Sequence, residues 1–533
     1  MAIFRETAVV YSWGGGNLAR GWSGPSVTGV GPAKPVPGSE LNSSSHFAVP
    51  PMVAASRNSL ALASDGRVLT WGVNDSRGGG DAWFVRGGHF SSIPDSGQLG
   101  RSAGRGTKPE VPAAMVSGPL AVEGAKALAS GRYHALAIGL RSQLVYSWGL
   151  NDHGQLGRSG WADARVRSHG SGRLGRRDKP PHSCMRGSRC RDGTARPVES
   201  VPASVSVAAG RYFSVAIGTD GRAHAWGRCA CGMPPPSPRF SDASRAPAHI
   251  DLVESSASSA PDESRNSGEA SRWTIGQPEA VGGYRAYVLS GGGIEAERLV
   301  AAAVGYTHLL LLGASGTLYS CESGDDGYGG RLKTAPPPNA FGQLGRSGSP
   351  FVPHPVPGIR LASLPAAQPS SLATLSRASI SSWTSWETSL RTARTIAAGR
   401  CASFAIDADG AVYSWGCAQA NGHFNSSGSG RSAASSLSSA ASGPADVRAP
   451  RLLEALRGTR TRMLAAGEYH ALAATDDSRL LAWGAAASGV GGAGGLVGVQ
   501  GLPAASSGSR RCAVLDIAAG YQHSLAVVQD CYL

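Results

Sequence analysis

Short stretches in which apolar and polar residues alternate recur along the whole chain, in pairs separated by a turn dipeptide. One pair runs from Leu60 to Trp71, with Asp65 and Gly66 between its two halves. The same turn recurs, with one serine variant, at 220–221, 315–316 and 409–410. Alternation on both sides of such a dipeptide predicts a β-hairpin. The chain is therefore predicted to consist of repeated hairpins.

Two phrases bracket each hairpin. The first is Ala-Ala-Gly-x-x-His or a variant, and the second is apolar-Tyr-Ser-Trp-Gly or a variant. The residues that recur in them are Gly131, Gly210, Gly305, Gly399, Gly467, Gly520, His134, His308, His470, His523, Trp13, Trp71, Trp148, Trp226, Trp415 and Trp483. The second phrase follows the first at a nearly constant interval of 15 to 17 positions, counting a first copy with Ser56 in the glycine place and a copy with Cys321 in the tryptophan place. This constancy predicts one structural unit.

The ends of the chain supply a closure argument. The phrase around Trp13 has no glycine phrase before it, and the unit that begins at Gly520 stops at Leu533, before its tryptophan. Joined, the two fragments complete a seventh repeat. We therefore expect an all-β fold: a single seven-bladed β-propeller over residues 1–533, closed by pairing of the N- and C-terminal segments.

The material between repeats varies in length. A third phrase, Gly-Gln-Leu-Gly-Arg-Ser, closes three units at 97–102, 154–159 and 342–347. We expect long disordered loop inserts, several of them rich in Ser, Ala, Pro and Gly. Their approximate ranges are 76–96, 158–200, 228–298, 325–341, 361–394 and 417–450.

Composition narrows the classes of protein. With 74 Gly and 33 Pro in 533 residues, long-helix folds are excluded, since each mid-helix Gly costs about 1 kcal/mol. The most apolar stretch, 299–314, is too short to span a membrane as a helix, so no membrane association is expected. The N-terminus lacks a secretory pattern, and nine scattered Cys favour reduced thiols over a disulfide framework. An intracellular monomer, cytoplasmic, nuclear or both, is expected.

These phrases resemble the repeats of the regulator of chromosome condensation family. The resemblance rests on Ala-Gly-x-x-His, on Trp-Gly-x-Asn at 71–74 and 148–151, and on Gly-Gln-Leu-Gly, and it covers nearly the whole chain. The departures are Ser56 for Gly, Cys321 for Trp, and Ser59, Phe213 and Ala402 for His. The resemblance implies a regulatory propeller with three precedents: nucleotide exchange on the small GTPase Ran, ultraviolet-B photoreception in plants, and partner binding in ubiquitin ligases and other scaffolds.

The two residues after each repeat glycine bear on these precedents. None of the pairs contains the Trp that photoreception would need, and only Glu468 supplies an acid of the kind that engages Ran in the exchange factors. Four pairs carry Arg and five carry Tyr, which predicts a basic, aromatic face suited to an acidic protein surface or nucleic-acid phosphate; ordinary solvated blade edges are the alternative. The candidate partner-binding residues are Arg57, Arg132, Tyr133, Arg211, Tyr212, Tyr306, Arg400, Glu468, Tyr469 and Tyr521.

Residues 158–196 concentrate positive charge. Eleven basic side chains against three Asp give net +8, more than half of the +14 of the chain. The cluster Arg173, Arg176, Arg177 and Lys179 is a candidate phosphate contact or nuclear import signal, with a solvated loop as the alternative. Nearby His182, Cys184 and Cys190 match no familiar zinc spacing, so neither a metal nor a cofactor is expected.

The repeat residues themselves are expected to be structural. Equivalent histidines in different blades cannot converge on one metal, so each is expected to bond the backbone of its own blade, and the tryptophans are expected to pack between blades. No catalytic constellation is present, so we expect no bond-making enzyme. The leading hypothesis is a regulatory interaction propeller, in its sharpest form an exchange factor for a Ran-like GTPase. A non-catalytic scaffold or adaptor, for example in ubiquitination, and chromatin or RNA binding through the basic insert are the alternatives.

Overall fold

A computed structural model describes residues 8–14, 33–40, 52–55, 58–72, 97–101, 113–151, 153–158, 191–232, 286–324, 338–363, 394–418, 420–423, 446–484, 496–502, 513–521 and 523–529. These residues form seven antiparallel sheets of four strands each. The inner strand of every sheet contacts that of the next, and the last contacts the first. The prediction of a seven-bladed β-propeller is confirmed.

We number the blades 1 to 7 in the order of their inner strands. The inner strands are Met52–Ala55, Ala125–Ser130, Ser204–Ala209, Leu299–Val304, Ile396–Ala398, Thr461–Ala466 and Val514–Ala519. The second strands are Asn58–Leu62, His134–Gly139, Phe213–Gly218, His308–Gly313, Ala402–Ile406, His470–Thr475 and His523–Gln529. The third strands are Val68–Gly72, Val145–Leu150, Ala223–Gly227, Leu318–Glu322, Val412–Gly416, Leu480–Gly484 and Ala8–Gly14. The outer strands are Ala114–Met115, Arg191–Pro197, Tyr287–Val288, His354–Pro355, Val447–Leu452, Val497–Gly498 and Lys34–Glu40. Within the described ranges, one short α-helix, Pro119–Glu123, and two 3₁₀ turns, Ile294–Ala296 and Glu454–Leu456, lie between the sheets.

Blade 7 closes the ring. Its third strand, Ala8–Gly14, pairs along its whole length with the second strand, His523–Gln529, so that Val10 lies opposite Val527. Both valines are fully buried. The predicted closure by the two terminal segments is thereby confirmed.

The hydrophobic core is divided into seven clusters, one between each pair of neighbouring blades. Side chains alternate between the two faces of a strand, and both faces of each blade are covered by a neighbour. The second strands are therefore apolar almost without interruption; every residue of His134–Gly139 is buried. No blade has a complete core of its own, which makes the ring the unit of stability.

The antiparallel order of the strands defines two faces. We call the end that carries the turns between inner and second strands the turn face, and the end that carries the hairpins between second and third strands the hairpin face. The connections from third to outer strands also lie on the turn face. The chain enters the basic segment from Arg158 and returns from it at Arg191, both on the turn face.

Two sequence assignments need correction. In blade 1, Asn58 pairs with Gly72 and Ser59 with Trp71, just as His134 pairs with Gly149 in blade 2. Asn58 therefore takes the histidine place and Ala55 the glycine place, one residue before the predicted Ser59 and Ser56. The outer strands Arg191–Pro197 and Tyr287–Val288 lie inside predicted inserts, and Val447–Leu452 begins inside one, so these inserts are shorter than predicted. The predicted disorder concerns residues outside the described ranges.

The cysteines differ from the sequence expectation as well. Cys231 is bonded to Cys321, and Cys401 to Cys417, so the expectation of reduced thiols is wrong for these four residues. Both pairs lie at the turn face; the first joins residues 90 positions apart and the second residues 16 positions apart. Cys229 is a buried free thiol, and burial raises its pKa to about 11.

Within the described ranges, no helix combines the length and the apolar character needed to cross a membrane.

Candidate functional site

The three recurring phrases meet at the seams between blades. At the seam of blades 2 and 3, His134 Nε2 lies 2.8 Å from Ser214 Oγ, and that hydroxyl donates to the carbonyl of Gln155 at 2.9 Å. Trp226 Nε1 donates to the same carbonyl at 2.8 Å. Because the serine hydroxyl already donates its proton to that carbonyl, His134 must donate from Nε2. Gln155, whose carbonyl accepts both bonds, belongs to the Gly-Gln-Leu-Gly loop.

The same arrangement recurs elsewhere in the ring. The seam of blades 4 and 5 contains the equivalent set His308, Ser403, Gln343 and Trp415. His470 contacts Ser524, and His523 contacts Ser59, at the seams on either side of blade 7. The expectation that each histidine bonds its own blade is thus wrong, because the partner of the ring nitrogen belongs to the next blade. We call this His–Ser contact the latch.

Burial keeps the latch histidines uncharged. It lowers the pKa of His134, His308 and His470 to about 3 and that of His523 to about 4. These imidazoles are neutral at physiological pH. They therefore connect blades and take no part in binding an anion.

The seam of blades 3 and 4 is built differently. Phe213 stands in the histidine place and Cys321 in the tryptophan place. Cys231, in the loop of blade 3 that corresponds to Gly-Gln-Leu-Gly, forms its disulfide with Cys321 of blade 4. A covalent bond therefore joins the two elements that an indole N–H and a loop carbonyl join at other seams.

The repeat glycines form a ring around the central channel, at its turn-face end. A Cβ on Gly131, Gly305, Gly399 or Gly467 would lie within 2.6 Å of the carbonyl oxygen of the next repeat glycine. This close approach lets Tyr306 N–H donate to Gly399 and Glu468 N–H donate to Gly520 across the seams. Glycine is required here by backbone contact. The ring of glycines also holds side by side the two residues that come after each repeat glycine.

These pairs meet at the turn-face opening of the channel, which we call the channel mouth. Arg132 lies at its centre, with its guanidinium carbon 5.3 Å from the ring centroids of both Tyr306 and Tyr521 and 5.5 Å from that of Tyr133. Such distances allow cation–π attraction. A cavity of about 50 Å³ lies beside Arg132, lined by Tyr306, Glu468, Tyr521 and the glycine ring.

Glu468 is the acidic component of the channel mouth. Its side chain is only 4% exposed; Oε1 lies 3.3 Å from Arg400 Nη1, and Oε2 accepts the hydroxyl of Tyr306 at 3.0 Å. Tyr469 is hydrogen-bonded to Arg400 and to Glu468. Burial raises the pKa of Glu468, and the opposing fields of Arg132 and Arg400 offset that effect only in part.

The cluster extends outward over blades 2 and 3. Arg211 lies 5.0 Å from the ring centroid of Tyr212, which stacks on Tyr133 at 5.4 Å. His153 packs edge-on against Tyr212 at 4.5 Å. An aromatic and basic cluster, in which Tyr133 and Arg211 are buried, thus runs from the channel mouth toward the loop that leads into the basic segment.

The structure brings together nine of the ten residues predicted from the turns, and the tenth, Arg57, lies outside the described ranges. The basic cluster Arg173, Arg176, Arg177 and Lys179 lies outside them too, as do His182, Cys184 and Cys190. Sequence reasoning missed His153, which comes from a different phrase, and the mutual contacts of the turn residues. In the part of the chain that is described, no three His, Cys, Asp or Glu side chains are grouped to hold a metal ion.

Comparison with known proteins identifies the fold. No protein-family model matches the chain. Human WBSCR16 superimposes with a TM-score of 0.55 at 15% identity, over 98% of this chain and 99% of that chain. Prp20p from Saccharomyces cerevisiae, described with its binding to Gsp1p and histones, superimposes with a TM-score of 0.54 at 16% identity. The match covers 99% of this chain and 92% of that chain. Yeast RCC1 (Prp20) bound to Kap60 superimposes with a TM-score of 0.53 at 17% identity, over 98% of this chain and 89% of that chain. At these identities the similarity establishes the fold, an RCC1-like seven-bladed propeller.

Proposed function

We propose that this protein is a member of the RCC1-like propellers and that it regulates a protein partner by binding an acidic surface at the channel mouth. The observation that supports this most directly is the charge of the mouth. Among the described turn residues there are three arginines, Arg132, Arg211 and Arg400, and a single carboxylate, that of Glu468. A low-dielectric rim with excess positive charge attracts acidic surfaces and accelerates their association. A nuclear or cytoplasmic location belongs to the same proposal.

The sharpest form of the proposal is nucleotide exchange on a Ran-like small GTPase. Prp20p shares this fold and is described as binding Gsp1p. The turns of this chain are poor in acids, so exchange would depend on shape complementarity and on basic contacts. Such activity forms no covalent bond and needs no catalytic constellation.

The test is release of labelled GDP from purified Ran, with and without the protein at micromolar concentration. We expect a concentration-dependent acceleration that persists when residues 159–190 are deleted. No acceleration by the folded protein, with binding retained, would exclude exchange on Ran and leave a non-catalytic scaffold or adaptor.

The basic segment supports a second candidate function, binding of chromatin or RNA. The segment 158–196 carries net +8, and its described ends, Arg158 and Arg191, lie on the turn face. Prp20p is described as binding histones. Phosphate binding through this segment should fall steeply with salt and vanish on deletion of 159–190, whereas binding that survives the deletion would exclude it.

A further inference from the structure

The channel mouth contains a buried carboxylate that the fold does not need. The ring is already closed by strand pairing, by the glycine contacts and by the latches. The carboxyl group of Glu468 is nevertheless almost completely removed from water, which disfavours its ionised form unless partners compensate the charge. Arg400 of blade 5, Tyr306 of blade 4 and Tyr469 of blade 6 contact it directly, and the charge of Arg132 in blade 2 acts on it through space. These are the groups that a buried carboxylate needs.

The same groups suit a carboxylate that comes from outside. Guanidinium groups bind carboxylates through charge-assisted hydrogen bonds, and the tyrosine hydroxyls add donors. The cavity beside Glu468 has a volume of about 50 Å³ and is lined by Arg132, Tyr306 and Tyr521. A single water needs only about 10–15 Å³ of such space, so the cavity has room for a small polar group such as a carboxylate. Three arginines against one glutamate leave the described turn residues with net positive charge.

We propose that the channel mouth is a carboxylate-recognition site, and that Glu468 is its internal competitor, occupying Arg132 and Arg400 until an acidic side chain of the partner engages them. The inference rests on the proposed function and specifies the chemistry of the contact. The partner is an acidic polypeptide segment, whose carboxylate enters the cavity and shares the two arginines. Glu468 thereby lowers the affinity for weakly acidic surfaces and restricts binding to those with enough carboxylates to compete.

The test compares the affinities of four proteins for a fluorescent poly-L-glutamate peptide of about 20 residues, measured by anisotropy at constant pH and salt. Glu468→Gln removes the charge and keeps an oxygen that can accept from Tyr306. It should bind about five- to tenfold more tightly than the native protein, because both arginines become available. Adding Arg132→Gln to that variant should return the affinity to the native value or below.

The matched control is Glu454→Gln, which makes the same change in net charge. Glu454 pairs with Arg457 in an exposed 3₁₀ turn after blade 5, away from the channel mouth, and should not alter the affinity. Thermal unfolding of each variant verifies that it is folded; if Glu468→Gln is not, the comparison is made with Arg400→Gln, for which binding weaker than native is expected and native-like binding would contradict the inference.

The outcomes separate the two claims. Tighter binding by Glu468→Gln but not by Glu454→Gln supports the internal competitor. Equal or weaker binding by folded Glu468→Gln, with the native protein still binding, overturns the competitor and leaves the proposed function intact. If no protein binds the peptide, both the competitor and the proposed acidic partner are overturned.

Discussion

At the scale of single residues, the latch histidines show what a repeat histidine does in this molecule. Each is buried and neutral and is hydrogen-bonded across a seam to a serine that follows it by 54 to 95 positions or, at the closing seam, belongs to the first blade. The sequence shows that the histidines are equivalent, but the partner lies in another repeat and nothing in a single sequence links the two. The fold, and not the phrase, defines this contact.

The pKa values of these histidines predict how stability depends on pH. Folded values of about 3 lie below the unfolded value of about 6.5, so the unfolded chain takes up protons that the folded chain does not. Stability should fall as the pH drops below 6.5, by about 1.4 kcal/mol per pH unit for each latch histidine. Replacing His308 by Asn, the residue found at this place in blade 1, should reduce that slope by the contribution of one histidine, about 1.4 kcal/mol per pH unit. Urea unfolding at several pH values measures it, and an unchanged slope in His308→Asn would contradict the explanation.

At the scale of elements, the seams are not equivalent, and their differences follow from the sequence departures. The seams of blades 2 and 3, 4 and 5, 6 and 7, and 7 and 1 have a latch. At the seams of blades 1 and 2, 3 and 4, and 5 and 6, the place of the latch histidine is taken by Asn58, Phe213 and Ala402. The seam of blades 3 and 4 lacks the tryptophan as well and has the disulfide instead. Both departures are visible in the sequence, but the pairing of Cys321 with Cys231 depends on which loop lies opposite.

The disulfide should therefore contribute more than a surface cross-link would. A bond between residues 90 positions apart is worth about 4.6 kcal/mol in the chain-entropy model, and removal of native disulfides costs about 2–5 kcal/mol. The double variant Cys231→Ala/Cys321→Ser should unfold at a markedly lower temperature than the native protein under oxidising conditions. Equal melting temperatures would show that the seam does not depend on the bond; peptide mapping without reductant shows directly whether the bond is present.

At the scale of the whole molecule, the fold is the part that the sequence predicts best. The nearly constant interval between phrases and the two incomplete terminal units are enough to predict seven blades and their closure. The sequence pattern predicts the first blade one residue out of register, because Ala55 replaces the glycine and Asn58 the histidine and neither recurrent residue marks the turn in that copy. The site could be predicted only as a list of turn residues. That they contact one another, with Glu468 held between arginines of different blades, depends on the width of the channel.

The most direct test of the central claim compares the two faces of the propeller. Binding of GDP-loaded and nucleotide-free Ran is measured for the native protein, for Arg132→Gln/Arg400→Gln on the turn face, and for Arg460→Gln/Arg479→Gln on the hairpin face. Arg460 and Arg479 are exposed and pair with Asp476 and Asp477, so their loss makes the same change in net charge away from the channel mouth. We expect a loss of affinity of about tenfold or more for the turn-face variant and little change for the hairpin-face variant. Full binding by a folded turn-face variant, or a loss of the same size in the hairpin-face variant, would contradict the proposed site.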